Sequence, residues 1–362
     1  MTVVRSKHED FGAVFDSADG RAFPTHYGRP ERTHTAVRRI VGVRESDYGV
    51  LSIYGEDRVD FLDDTVSNRV PADDGEGAYT LLLDPDGNVE ADLYVFATGD
   101  RLLVFTPPGR AAAIGEEWRG RIFLQDVEIE VATGDFGVFG VHGPKATEKV
   151  ASVLGGPGAP QEPLSFVRGR IRTEGVTVIR GDGLAGEEGF EVVCTADAAS
   201  EVFDALVTHG LNAVPFGERS WETLTVEAGT PLFETELEGE LANVTGVRNG
   251  LDFEKGCFVG QERVARIENL GNTPRQIIGL TPESVPPRGA PVLDGDDEVG
   301  TVTRAVESPT LESPVAMAVL DFDADPDAVR VEGEAVPAER RSLPFVTGSE
   351  QSQRLPTYGP DT

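Results

Sequence analysis

Cysteine occurs only twice in the 362 residues, at Cys194 and Cys257, and neither belongs to a C-x-x-C pair. That excludes a disulfide framework and a structural zinc site of the usual ligand spacing, and a reducing compartment fits. Lysine is nearly as scarce, confined to positions 7, 145, 149 and 255. No apolar stretch approaches the roughly 18 residues of a membrane-spanning helix. Met1 to Asp10 is polar and lacks the apolar core of a signal sequence. A soluble, cytoplasmic chain is expected. The five histidines (8, 26, 34, 142 and 209) show no metal-ligand spacing, so no metal is expected. G-x-S-x-G, H-E-x-x-H and G-x-x-x-x-G-K-[ST] are all absent, which removes the chemistries those runs support.

Acid is what the chain has in abundance: 63 Asp and Glu against 32 Lys and Arg, a formal net charge of −31. A duplex nucleic acid is a poor partner for such a surface, because phosphate affinity is built from surplus cations. An acidic, lysine-poor composition fits a high-salt cytoplasm, where a Debye length of about 3 Å at ~1 M salt makes such self-repulsion tolerable.

Local patterns divide the chain. Residues 1–33 are polar and expected to be irregular. Strands are expected at 50–54, 79–83, 89–96 and 102–106, with Pro85-Asp86-Gly87-Asn88 as a turn. Val59, Leu62 and Val66 share one helix face, and 111–121 suits a helix. A Gly/Pro cluster at 155–160 marks a loop, followed by strands at 166–172, 176–179 and 190–193 and a helix at 198–208. Short strands at 277–280, 290–293, 299–304 and 316–320 suit a small β-barrel spanning 276–345. Residues 346–362 are polar and expected to be a loose tail.

Gly181-Asp182-Gly183-Leu184-Ala185-Gly186 satisfies G-x-G-x-x-G, but a dinucleotide site needs a helix to begin there. Glu187-Glu188-Gly189 leads instead into a strand, so this is a decoy. Lys255-Gly256-Cys257-Phe258-Val259-Gly260-Gln261-Glu262 is the most distinctive segment. Its glycines point to special dihedrals or close approach. A neighbouring cation would raise the thiolate fraction of Cys257, yet from the residues alone a buried structural cysteine is expected. From Lys255 to Arg275 the balance is 4 − 2 = +2, against −31 overall. Arg168, Arg170 and Arg172 form a second cationic island on one strand face. Surface ion pairs and recognition of a carboxylate ligand both stand as readings of these islands.

The K-G-C-F-V-G-Q-E run resembles the signature of YgfZ proteins, within the family that joins YgfZ to the glycine-cleavage T-protein, GcvT. Other runs resemble that family in order along the chain: His34-Thr35-Ala36-Val37-Arg38, Gly183 to Glu191, Val226-Glu227-Ala228-Gly229-Thr230-Pro231, Val299 to Thr303 and Ser308-Pro309-Thr310-Leu311. The resemblance implies an α+β fold, a ring of αβ subdomains over 34–270 around a central tetrahydrofolate site, with a C-terminal β-barrel. It places Asp92 on the second aspartate of the T-protein's G-I-I-D-D-L run, where a carboxylate orients the accepting amine and stabilises developing positive charge. Glu191 falls on the glutamate that hydrogen-bonds the pterin. Lys255 and Arg263, beside the signature, are expected to hold the anionic folate tail, and Cys257 is expected to work with the folate.

Three positions depart from the T-protein pattern: Ala91 replaces the first aspartate, Leu184 a tyrosine, and Thr225 the arginine of R-x-E-A-G. Those losses stand against aminomethyl transfer and leave folate binding in place. The expected function is therefore YgfZ-like: folate-dependent support of iron–sulfur cluster assembly or repair and of dependent tRNA modification, with iron–sulfur client proteins as partners and no direct grip on nucleic acid. The alternatives are an aminomethyltransferase that takes its carbon from a lipoyl carrier protein, and a non-catalytic scaffold.

Overall fold

Alternating apolar residues between Gly49 and Val131 produce a five-stranded antiparallel sheet in the order Gly77–Leu83, Val89–Ala97, Leu102–Thr106, Gly49–Tyr54, Glu128–Val131. One face packs on the helices Arg58–Asp63 and Ala111–Arg121 through Phe61, Leu62, Ile114 and Trp118. The computed structural model describes residues 2–15, 23–271 and 273–358. A seven-stranded sheet runs Val214–Pro215, Gly42–Glu45, Phe136–His142, Gly189–Thr195, Glu174–Arg180, Phe166–Ile171, Leu154–Gly155. The helices Ala146–Val153 and Ala199–Thr208 cover it with Val150, Val202, Phe203 and Leu206.

The expected barrel closes with six strands: Arg275–Pro282, Ser313–Asp321, Asp297–Ser308, Pro291–Asp294, Ala328–Val331 and Glu334–Arg341. Strand Ser313–Asp321 shows the period of two on both sides. Ala316, Ala318 and Leu320 fill the barrel, while Val315, Met317 and Val319 face the helices Glu218–Glu227 and Ala242–Thr245. The last two strands are not anticipated: Ala328–Val331 is only four residues long, and Glu334–Arg341 is mostly charged or exposed. Among the described residues, no helix is long and apolar enough to cross a membrane.

The described residues near both ends of the chain are more ordered than their composition implies. Residues 1–33 include a helix, Arg5–Asp10, whose buried His8 lies 2.7 Å from Glu45 and 2.6 Å from the Tyr27 hydroxyl. The tail is corrected over 346–358: it is bound, not loose. Val346 N–H donates to the Glu227 carbonyl, Ser349 to Glu187, Gln353 N–H to the Asp182 carbonyl and Thr357 N–H to the Gly246 carbonyl. Its partners are polar and distant in sequence, which leaves no apolar periodicity to read.

Glu227, at the end of helix Glu218–Glu227, is the point where these parts meet. Its fully buried carboxylate pairs with His34 Nε2 (2.8 Å) and accepts from Arg38 Nε (3.0 Å), Ser308 (2.6 Å) and Thr310 (3.2 Å). Burial pushes the carboxyl up, but the His34 bond, the Arg38 charge and the Ser308 hydroxyl outweigh it and hold it at about 2. Removing one member of such a buried set typically costs about 3–5 kcal/mol. We therefore expect Glu227→Gln to lower the unfolding free energy by about that much in urea titrations at neutral pH. Because the folded value is depressed, the contribution is complete above the ordinary 4.5 and fades as pH falls towards about 2. The variant and the wild type should converge over that window.

Candidate functional site

The period of two also builds the site. Asp92, Tyr94 and Phe96 alternate along strand Val89–Ala97, and on the neighbouring strand Tyr79 pairs with Tyr94 and Leu81 with Asp92. That face, away from the helices, looks onto a cavity of about 160 Å³ lined also by Arg44, Ser46, Tyr48, Phe105, Leu184, Glu218, Trp221 and Arg354. An adjoining inner pouch shares Tyr48, Tyr94, Phe105 and Leu184 and adds His142, Asp182 and Glu191 from the seven-stranded sheet and its loop. A larger cleft of about 400 Å³ opens elsewhere between the sheets, around Phe136, Phe166 and Arg168. It lacks converging buried charges, so volume alone does not single it out.

The two carboxylates expected at the site both line this space, in different settings. Asp92 Oδ2 accepts from Arg354 Nη1 (2.6 Å) and from the Tyr79 hydroxyl (3.3 Å). Its Oδ1 has no hydrogen-bond partner among the described residues. Glu191 accepts from Ser46 Oγ at 2.9 Å, while its other oxygen lies 4.0 Å from His142 Nε2. Burial, the largest influence, pushes the Glu191 carboxyl up to about 7 despite the Ser46 bond and the Arg44 charge. Burial and Arg44 together push His142 down to about 3, so its imidazole is neutral, and neither ring nitrogen has a hydrogen-bond partner among the described residues. Gly140 makes room for this arrangement, since a Cβ there would collide with the His142 ring.

Cations enter from two sides. Arg44 lies 4.4 Å over the Trp221 ring and donates to Glu218 at 2.6 Å. Arg354 comes from the tail and lies 3.5 Å from Asp182 as well as bonding Asp92. Sequence reasoning missed Arg44, His142, Asp182 and Arg354. Only Asp182 carried any signal, as part of the decoy glycine run, which here is a loop between strands.

Lys255, Arg263 and Cys257 lie elsewhere. The Lys255 ammonium is buried and bonded to the carbonyls of Asp63, Val66 (2.9 Å) and Asn68 (2.8 Å), with Asp63 Oδ1 at 3.2 Å. That ammonium is committed to holding a loop. Arg263 is exposed and packs over Gly87 of the Pro85–Asn88 turn. Gly260 has φ +82°, and a Cβ there would come within 2.6 Å of the Asp84 carbonyl, so close approach explains the glycine. Cys257 is exposed, not buried, whereas Cys194 is buried and its thiol pushed up to about 12. In the other cationic island, Arg168 grips Asp74 with a two-pronged bond and Arg172 reaches Asp204, both at the surface.

Residues 4–253 match the GCVT N-terminal domain, and residues 275–347 match the glycine cleavage T-protein C-terminal barrel domain. The chain belongs to the GCVT family. It is 33% identical to an aminomethyltransferase of Saccharopolyspora erythraea over 95% of this chain and 97% of that one. It is 29% identical to a probable aminomethyltransferase of Halobacterium salinarum, over 95% and 98%. The crystal structure of glycine cleavage system aminomethyltransferase T from Bartonella henselae superposes with a TM-score of 0.84 at 21% identity, covering 96% of this chain and 98% of that one. The α+β fold with its terminal barrel is therefore shared. These relatives are aminomethyltransferases rather than YgfZ proteins, which corrects the weight given to the K-G-C-F-V-G-Q-E run.

The raised Glu191 makes a thermodynamic prediction. Because its folded value exceeds the ordinary 4.5, its ionisation opposes folding, and stability is lost as pH rises through about 7. Glu191→Gln should melt close to the wild type at pH 4.5. It should become the more stable protein by pH 8, by up to about 3 kcal/mol, since each tenfold change in proton affinity is worth ~1.4 kcal/mol. A gap that stays constant with pH would show that Glu191 does not titrate this way.

Proposed function

We propose that this chain is a tetrahydrofolate-dependent aminomethyltransferase, taking a methylene from an aminomethylated lipoyl carrier protein and releasing ammonia. The observation that carries the reading is Asp92, a carboxylate with one oxygen anchored and the other unpartnered at a cavity flanked by aromatic rings. Tyr48 and Phe105 stack at 5.1 Å, and Tyr94 lies 6.2 Å from Tyr48. Flat rings of this kind suit a pterin. The unpartnered oxygen of Glu191 and the neutral His142 offer it hydrogen bonds in the inner pouch. Tetrahydrofolate would supply the nitrogens that accept the carbon. Asp92 would orient the reacting amine and stabilise positive charge that develops there.

Two of the three departures lose their force in this geometry. Ala91 is fully buried in the core on the opposite face of its strand, so the missing aspartate removes no carboxylate from the cavity. Leu184 lines the cavity and keeps the wall apolar. The iron–sulfur reading rested on the cysteine motif, whose lysine and second glycine have structural roles and whose cysteine lies away from the cavity.

Incubation with aminomethylated carrier protein and tetrahydrofolate, following methylene-tetrahydrofolate and ammonia, tests the proposal. We expect turnover that Asp92→Asn lowers by about 100-fold or more, as for loss of a general acid–base group. Glu191→Ala should weaken tetrahydrofolate binding by about tenfold, the equivalent of one good hydrogen bond to a charged group. Folate binding with no turnover by the wild type would reject the transferase and leave a binding protein.

A further inference from the structure

The two oxygens of Asp92 are treated differently, and the short, charged bond that marks the difference comes from one residue of the tail. Arg354 is 3% exposed and comes from beyond residue 347, where the barrel family match ends. Its Nη1 holds Asp92 Oδ2 at 2.6 Å and its Nη2 donates to the Tyr94 hydroxyl at 2.5 Å. That hydroxyl donates in turn to Asp182 Oδ2 at 2.7 Å. The guanidinium lies 4.0 Å over the Tyr79 ring, whose hydroxyl is the second donor to Asp92 Oδ2. One planar cation thus ties Asp92, on the five-stranded sheet, to Asp182, in the loop leaving the seven-stranded sheet.

Its delivery is built into the backbone. Gln353 N–H bonds the Asp182 carbonyl at 3.0 Å and Arg354 N–H bonds Ser352 Oγ at 3.2 Å. Gly183 has φ +75°, and a Cβ there would come within 2.8 Å of the Gln351 carbonyl. After Arg354 the chain is caught again, by Thr357 on the Gly246 carbonyl and by Tyr358 between Val244 and Ile277. A segment with a loosely specified course would not need a glycine beneath it and anchors on both sides.

We propose that Arg354 is a positioning residue for Asp92, fixing its carboxylate so that Oδ1 is presented to the cavity. This rests on the reading that Asp92 serves the transfer. A carboxylate free to turn about its last torsion would present either oxygen, in a spread of directions. A guanidinium that grips one oxygen while stacked on a ring and tied to a second sheet removes that freedom, and misplacement by about 1 Å can cost some 100-fold in rate.

The test compares wild type, Arg354→Ala and Arg354→Lys in the full chain, with carrier protein and tetrahydrofolate as substrates and melting temperature as the control for folding. In Arg354→Ala, kcat should fall by about 100-fold while KM for tetrahydrofolate moves less than about threefold, the signature of lost orientation rather than lost binding. Arg354→Lys, which keeps the charge without the fork, should recover part of the rate. Millimolar guanidinium ion should restore turnover to Arg354→Ala and not to Asp92→Asn. Should Arg354→Ala fail to fold, the loss of kcat at constant KM in Arg354→Lys decides. Unchanged kcat in a folded variant overturns the inference, as does a rise in KM alone or faster turnover, which would make the tail a lid. Wild type inactive with every substrate defeats the transferase reading and this inference with it, whereas active wild type with an indifferent Arg354 defeats only the inference.

Discussion

Glu227 is an anion with no access to water, and the arrangement of the molecule follows from what that costs. Moving a carboxylate out of water carries a penalty of several kcal/mol, which is offset only by well-placed partners. Those partners come from different parts of the chain: His34 and Arg38 from one helix, Ser308 from the end of a barrel strand and Thr310 from the turn after it. Both sets converge on one carboxylate, so the barrel and the N-terminal helix are joined through a single charge. Arg38 extends the link, because it also holds Glu187 at 3.2 Å, and Glu187 accepts from both the N–H and the hydroxyl of Ser349. From Ser349 the chain runs on to Arg354. The orientation of Asp92 is thereby connected to a contact that never touches the cavity.

Within the cavity, charge is distributed unevenly, and this separates two chemically identical groups. Asp92 is in direct contact with a guanidinium; Glu191 has a serine hydroxyl and a neutral imidazole. The cation nearest to Glu191 in effect, Arg44, is already engaged by Glu218 and by the Trp221 ring. Environments that differ in this way give two carboxylates two roles. Asp92 is held in an ion pair with Arg354, while burial leaves Glu191 poised to change protonation near neutrality. Salt outside does little to these groups, since buried pairs are screened far less than exposed ones. The surface excess of acid and the chemistry of the cavity are therefore separate matters.

Four strands of the five-stranded sheet and most of the barrel were legible because period-two alternation survives where one face is buried, whereas the edge strand Glu128–Val131, mostly exposed, gave no such signal. The cavity positions of Asp92 and Glu191 were legible only through motif resemblance, since an isolated acid on a strand is ordinarily a solvated one. Lys255, Arg263 and Cys257 misled because local cations and glycines around a cysteine look the same whether they serve a ligand or a turn. Backbone carbonyls, the actual partners of Lys255, leave no trace in residue type. Arg354 had no local signal at all: its partner Asp92 lies 262 positions away, and its neighbours are the mostly polar residues of an apparent tail.

The remaining departure, Thr225, lies where a cation from the barrel enters the body. Thr225 is fully buried, and its hydroxyl accepts a bond of 2.9 Å from Arg304 Nη1. Arg304 belongs to barrel strand Asp297–Ser308, where the register shifts between Val302 and Arg304. A bulge of this kind redirects a side chain, and here it accompanies an arginine that leaves the barrel for the body. Its other nitrogens reach Glu236 at 3.0 Å and the Thr230 carbonyl at 2.5 Å. An arginine at 225 would place a second guanidinium against the first, in a space shared with the one buried carboxylate Arg304 contacts. The small hydroxyl residue is what allows the barrel's own cation to enter. The altered motif is thus accounted for by how the barrel is attached, and it bears on the cavity only through the position of the helix that carries Trp221.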